Sequence, residues 1–121
     1  MTNFRMIDFL NKIDTLIVKS KRALIEQEFP YSMYFRIPGS KNVAWIQVKK
    51  GYSAQGMFRL MVSVSREGSS MMHSNYYYSD MTEEKMRKYL ATDEDTAKIR
   101  ESILKLSASV DDKEGEFPSD Y

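Results

Sequence analysis

The chain has a single histidine, His73, within the stretch SSMMHSNYYYSD (residues 69–80). An unperturbed imidazole titrates at about pH 6.5, so His73 is the residue best suited to act as a general base. Ser70, Ser74 and Ser79 lie close in sequence, but Ser74 would point to the opposite face of a strand from His73. No G-x-S-x-G motif accompanies these serines. A small hydrolase that relies on His73 is therefore only the third of our hypotheses.

Composition excludes the metal sites that need cysteine or paired histidines. The chain has no cysteine and one histidine, so cysteine-ligated zinc, iron–sulfur clusters and HExxH zinc sites cannot form within one chain. Metal sites built from carboxylates alone remain possible. However, Glu83–Glu84 and Asp93–Asp95 each begin a predicted helix, where acids interact favourably with the helix dipole. The Gly39–Lys41 turn lacks the upstream glycine of a phosphate-binding loop. We predict no catalytic residue, no metal, no cofactor and no enzymatic activity.

The spacing of apolar residues changes twice along the chain and predicts the elements that position these side chains. Between residues 3 and 27, apolar residues such as Ile13 and Ile17 recur at helical intervals. After residue 80 the helical spacing returns. Between these two parts lie four segments in which apolar and polar residues alternate, separated by short turns: 31–37, 43–50, 57–66 and 69–80.

The C-terminal third is predicted to form two helices and a tail. Asp80 with Glu83, and Thr92 with Asp95, have the spacing of capping boxes that begin helices. The last eleven residues, 111–121, carry five acids against one lysine without any hydrophobic period, which predicts a flexible acidic tail. The predicted fold is a single α+β domain over residues 1–110, with an N-terminal helix, a four-stranded antiparallel meander sheet and two C-terminal helices.

Alternation places aromatic and basic side chains on the sheet face opposite the aliphatic one. The first helix can cover the aliphatic face, and the other face is either covered by the C-terminal helices or exposed. In the fourth strand, alternation separates His73 and Tyr77 from Tyr76 and Tyr78 without assigning which set is outside. The predicted binding surface consists of Tyr34, Arg36, Trp45, Gln47, Lys49, Arg59, Met61, His73, Tyr76, Tyr77 and Tyr78.

Two kinds of ligand suit such a surface. Protein recognition is favoured, because Tyr, Trp, Met and Arg are the residues enriched at protein interfaces. An inhibitor, an immunity protein, a phage or mobile-element accessory protein and a chaperone all have this profile. The alternative is single-stranded DNA or RNA, whose bases stack on aromatic rings while Lys and Arg neutralise phosphates. A homodimer formed through the sheet stays open as well.

The N-terminal segment predicts neither a signal peptide nor a membrane anchor. Arg5, Asp8, Lys12 and Asp14 interrupt its apolar positions, so no continuous hydrophobic region forms. The longest aliphatic run there, Leu16–Val18, is far too short to span a bilayer. We therefore expect a cytoplasmic protein without a membrane partner.

Overall fold

The computed structural model describes residues 3–115, with the side chains at positions 3, 4, 76, 78, 79 and 114 outside the description. The order of elements is the predicted one, α-β-β-β-β-α-α, which confirms a single α+β domain. The elements are α1 (Asn3–Ile25), β1 (Tyr31–Arg36), β2 (Asn42–Lys50), β3 (Met57–Arg66), β4 (Met72–Thr82), α2 (Glu83–Leu90) and α3 (Thr96–Gly115).

The four strands form one antiparallel sheet in the order β1-β2-β3-β4, as the short turns predict. Tyr34 pairs with Trp45, Trp45 with Ser63, and Ser63 with Ser74, so one line of paired residues crosses the whole sheet. The register between β3 and β4 shifts twice, between Phe58 and Met61, so β4 is irregular in its second half. Strands β1 and β4 are the two edges of the sheet.

All three helices pack against the aliphatic face of the sheet. That face supplies fully buried residues from both central strands, including Ile46 and Val62. Ile17 of α1 and Ile103 of α3 join them in one hydrophobic cluster, together with Met86 of α2. The C-terminal helices therefore cover the aliphatic face rather than the aromatic one. The alternation left open whether the C-terminal helices cover the aromatic face or leave it exposed, and in the structure they do not cover it.

Two cations of α1 connect this helix to the loop between α2 and α3. Arg22 donates hydrogen bonds to the carbonyl oxygens of Leu90 (2.9 Å) and Thr92 (3.1 Å), which lie at and just beyond the C-terminal end of α2. Lys21 is fully buried, donates to the carbonyl oxygen of Glu94 at 3.0 Å and lies 4.3 Å from the ring centre of Tyr89. Burial lowers the pKa of Lys21. These contacts satisfy one carbonyl group at the end of α2 and two carbonyl groups of the loop that follows it.

The predicted capping roles of Asp80 and Thr92 are wrong. The N-cap of α2 is Thr82, whose hydroxyl oxygen accepts from the backbone N–H of Lys85. Asp80 lies within β4 with a φ of 61°. The third helix begins at Thr96, and the hydroxyl of Thr92 instead donates to the carbonyl oxygen of Tyr89 at 2.8 Å. In both cases the residue with capping-box spacing makes a different contact, since the carboxylate of Asp80 accepts from the backbone N–H of Ser53.

Helix α3 runs to Gly115, past residue 111, where the acidic tail was predicted to begin. The remainder of that predicted tail, residues 116–121, lies outside the described residues. Within the described part of the chain, no helix has the combination of length and apolarity that a membrane span requires.

Candidate binding surface

The sheet face that points away from the helices is uncovered by any element that the structure describes. We call it the open face. Its residues alternate with core residues along each strand. They are Ser32, Tyr34 and Arg36 of β1, Val43, Trp45, Gln47 and Lys49 of β2, Arg59, Met61, Ser63 and Ser65 of β3, and Met72 and Ser74 of β4.

A pair of aromatic rings forms the most prominent feature of the open face. Tyr34 and Trp45 are cross-strand partners, and their ring centres lie 4.8 Å apart with an angle of 41° between the ring planes. The indole N–H of Trp45 donates to the hydroxyl of Ser65 at 3.3 Å. Trp45 is half-buried, whereas Tyr34 is 63% exposed. The pair is therefore a fixed aromatic ridge with one ring available to a partner.

A row of hydrogen-bonded polar side chains crosses all four strands beside the aromatic pair. The hydroxyl of Ser32 donates to the amide oxygen of Gln47 at 3.2 Å, and the amide nitrogen of Gln47 donates to the hydroxyl of Ser63 at 2.9 Å. The hydroxyls of Ser63 and Ser74 lie 2.8 Å apart. Gln47 and Ser63 are buried even though they lie on the open face. These two side chains form the floor of the open face, and the hydrogen bonds within the row satisfy their buried polar atoms.

The row was not predicted from the sequence, because alternation indicates which serines share a face but not which of them meet. Of the predicted contact residues, Gln47 belongs to this buried floor. Met61 is also almost completely buried, with 7% of its surface exposed. These two residues support the surface and offer little area to a partner.

The charges of the open face are concentrated at one end. At the other end Arg36 forms an ion pair with Glu67, which neutralises it. At the basic end, the guanidinium of Arg59 lies 4.0 Å from the ring centre of Tyr52, a loop residue that is 82% exposed. Lys49 and Lys50 join these two residues and Pro30 in lining a groove of about 320 Å³. Tyr52 was missed by sequence reasoning, because a loop residue carries no alternation signal.

Asp80 holds the loop that carries Tyr52. Its carboxylate accepts a hydrogen bond from the backbone N–H of Ser53 at 3.2 Å. The bonds from Ser53, and more weakly the backbone of Tyr52 and the charge of Arg59, lower the pKa of Asp80 below 3.8. A Cβ atom at Gly51 would lie only 2.6 Å from an oxygen of this carboxylate, so the close approach needs glycine. Asp80 therefore positions the basic end instead of capping α2.

The pH dependence of stability should reveal this role of Asp80. Because the native pKa lies below the unfolded value of 3.8, ionised Asp80 stabilises the folded state above that pH, and the contribution disappears as the pH falls through the native pKa. We expect the free energy of unfolding to be lower for Asp80→Asn than for the parent chain at neutral pH. The two values should converge below about pH 3.8 in urea titrations. Curves that stay parallel down to acid pH would contradict the assignment.

The structure does not bring His73 and Tyr77 onto the open face. His73 pairs with the fully buried Val64 and points to the side of the helices. On the same side, the phenol of Tyr77 donates to the carbonyl oxygen of Lys98 at 3.2 Å. The side chains of Tyr76 and Tyr78, the other predicted contacts in β4, lie outside the described residues.

The positions of His73 and Ser74 on opposite faces of the sheet also bear on the hydrolase hypothesis. The hydroxyl of Ser74 contacts Ser63 on the open face, whereas His73 lies on the opposite side of the sheet. The two neighbours therefore cannot act together as nucleophile and base. Within residues 3–115, no group of three or more His, Asp or Glu side chains is placed to hold a metal ion.

The comparisons with known proteins found no match. No protein-family model matches the chain, and neither the curated proteins nor the solved structures include a significantly similar one.

Proposed function

We propose that this chain is a non-catalytic binding protein that recognises another protein through its open face. One observation carries the proposal: all three helices cover the aliphatic side of the sheet, while the aromatic side has no cover among the described elements. An uncovered sheet face with an exposed ring packed against a half-buried Trp resembles the anchors that dominate protein interfaces. A cytoplasmic location stays part of this proposal.

The distribution of charge favours a protein over a nucleic acid. Single-stranded nucleic acids need a basic track along which successive phosphates are neutralised. On the open face Arg36 is already paired with Glu67, and the exposed cations Lys49 and Lys50 lie together at the opposite end. The aromatic pair and this basic end together suit a partner with an apolar protrusion and an acidic group beside it.

Two tyrosines of β1 provide a matched test of the proposal. Tyr34 is 63% exposed on the open face, and Tyr31, 43% exposed, lies on the opposite face of the same strand. We expect Tyr34→Ala to weaken binding of the partner by about thirtyfold, as loss of an anchor residue does, and Tyr31→Ala to leave it nearly unchanged. Capture from an extract of the native host, followed by titration of the recovered protein, measures both.

A nucleic-acid binding assay decides between the two classes of ligand. Labelled single-stranded DNA and RNA should show no shift with the parent chain at low salt if the partner is a protein. A shift that falls steeply with salt and disappears in Arg59→Ala would instead establish nucleic-acid binding. Equal capture by Tyr34→Ala and Tyr31→Ala would remove the open face as the recognition surface.

A further inference from the structure

Like charges face each other at the basic end of the open face. Lys49 of β2 and Arg59 of β3 are direct cross-strand partners there, and Lys50 follows along the chain. Like charges directly opposite each other destabilise an antiparallel pair of strands. Within the described part of the chain, neither lysine forms an ion pair. The fold therefore collects three positive charges despite their mutual repulsion, and an anion bound between them would relieve it.

The acid of the basic end, Asp80, offsets these charges only in part. Its carboxylate accepts a hydrogen bond from the backbone N–H of Ser53 at 3.2 Å and lies close to Gly51. The bonds from Ser53 contribute most to the lowered pKa of Asp80, and the charge of Arg59 contributes least. The carboxylate is therefore directed to the loop backbone, and the basic end carries three cations against one acid.

The three cations line a groove that also contains an aromatic ring. The groove has a volume of about 320 Å³ and is lined by Pro30, Lys49, Lys50, Tyr52 and Arg59. Pockets that hold small molecules begin at about 300 Å³. The guanidinium of Arg59 lies 4.0 Å from the ring centre of Tyr52 and covers one face of a side chain that is still 82% exposed. The groove therefore offers charges to an anion and a ring face to the group that carries it.

We propose that this groove binds the phosphate group of a phosphate monoester. Such a group carries about two negative charges at neutral pH and three acceptor oxygens, so it can contact two ammonium groups and a guanidinium together. A carboxylate has one charge and two oxygens and satisfies fewer of the three cations. Phosphate therefore matches the charge and the number of the groups that line the groove. The inference does not depend on the proposed recognition of another protein, because phosphate binding is measured on the chain alone.

Titration of the full chain with inorganic phosphate at constant ionic strength is the first test. We expect a dissociation constant on the order of 1 mM, with the largest shifts of backbone amide NMR signals at residues 49–53 and 59. Sodium chloride at the same ionic strength should leave these signals in place. Absence of saturation up to about 50 mM phosphate, or equal shifts with chloride, would mean an adventitious ion only and would overturn the proposal.

Lys49→Gln and Lys50→Gln separate phosphate binding from the repulsion between cations. Each removes one cation of the groove and should raise the dissociation constant for phosphate at least about fivefold. Only Lys49 lies opposite another cation, since Lys50 pairs with Phe58. Lys49→Gln should therefore also raise the melting temperature of the phosphate-free chain, and Lys50→Gln should leave it unchanged. A melting temperature lowered by Lys49→Gln would contradict the repulsion from which the site is inferred.

Lys41→Gln is the matched control. Lys41 is an exposed lysine in the turn between β1 and β2, at the opposite end of the sheet from Lys49. Its substitution removes the same charge from the chain and should leave the dissociation constant for phosphate unchanged. Equal weakening by Lys41→Gln and Lys50→Gln would show that phosphate responds only to net charge, and the site would be lost.

Two phosphate monoesters identify the kind of molecule that carries the phosphate. Adenosine 5′-monophosphate has a flat base that can stack on Tyr52, and ribose 5-phosphate lacks it. Tighter binding of the adenosine compound, lost in Tyr52→Leu, would assign the groove to nucleotides. Equal binding of the two would assign it to a phosphate on a carrier without a ring, such as a phosphorylated serine side chain. If both esters bound more weakly than inorganic phosphate, the groove would not admit a carrier and the proposal would be overturned.

Discussion

Arg87→Ala is expected to lower the free energy of unfolding by about 2–4 kcal/mol, which is a large effect for a half-buried charged residue. The guanidinium of Arg87 donates to the carbonyl oxygens of Ile25 (2.6 Å) and Gln27 (2.9 Å), at the C-terminal end of α1. It also pairs with Glu83 and lies 4.2 Å from the ring centre of Phe29. Removing it leaves carbonyl groups at a helix end without their charged donors.

Lys88→Ala is the matched control for this change. Lys88 and Arg87 are neighbours in α2, and each forms an ion pair with the glutamate four residues earlier. The Lys88 side chain is 76% exposed against 30% for Arg87 and its pair is solvated, so its loss should cost less than about 1 kcal/mol. Thermal unfolding measures both, and a melting temperature lowered equally in the two variants would contradict the role given to Arg87.

Ile46→Ala is expected to cost about 2–5 kcal/mol of stability, more than Trp45→Ala, although the tryptophan loses many more atoms. The two residues are adjacent in β2 and point to opposite faces of the sheet. Ile46 is fully buried under the helices, and its removal leaves a cavity in the core. Trp45 is half-buried on the open face, where its neighbours and solvent can occupy the space that truncation leaves.

Urea unfolding of the two variants tests whether the open face is uncovered in solution. Because Trp45 is the only tryptophan, quenching of its fluorescence by iodide in the parent chain provides an independent measurement. We expect quenching to be readily detectable, and to decrease when the partner binds. If Trp45→Ala were as destabilising as Ile46→Ala and iodide did not quench, the open face would be covered and the proposed recognition surface would be lost.

Local periodicity was sufficient to predict the elements, because it records which side of each element is buried. The clean alternation of Phe58, Leu60, Val62 and Val64 predicted β3 and its buried side correctly. The same signal placed Tyr34 and Trp45 on one face of neighbouring strands, which the register then made direct partners.

Local signals failed where a residue has two competing uses. Asp80 has the spacing of a capping box with Glu83, but its carboxylate binds the backbone N–H of Ser53, a residue far away in sequence. In β4 the neutral residues on both faces made alternation ambiguous, and the side of the strand that faces the helices is marked by the contacts of Asn75 and Tyr77 with α3. Such partners are brought together only by the packing of distant segments.

The sequence by itself determined the element order, the aliphatic face of the sheet and the absence of cysteine chemistry, since each follows from composition or from the periods of strands and helices. The tertiary structure decided that α2 and α3 join α1 on the aliphatic face. The apolar stripe of a helix does not by itself specify which face of a sheet it packs against. The largest burial of apolar area is obtained where aliphatic surfaces meet. That one choice leaves Tyr34 and Trp45 uncovered and turns a set of strand residues into a candidate binding surface.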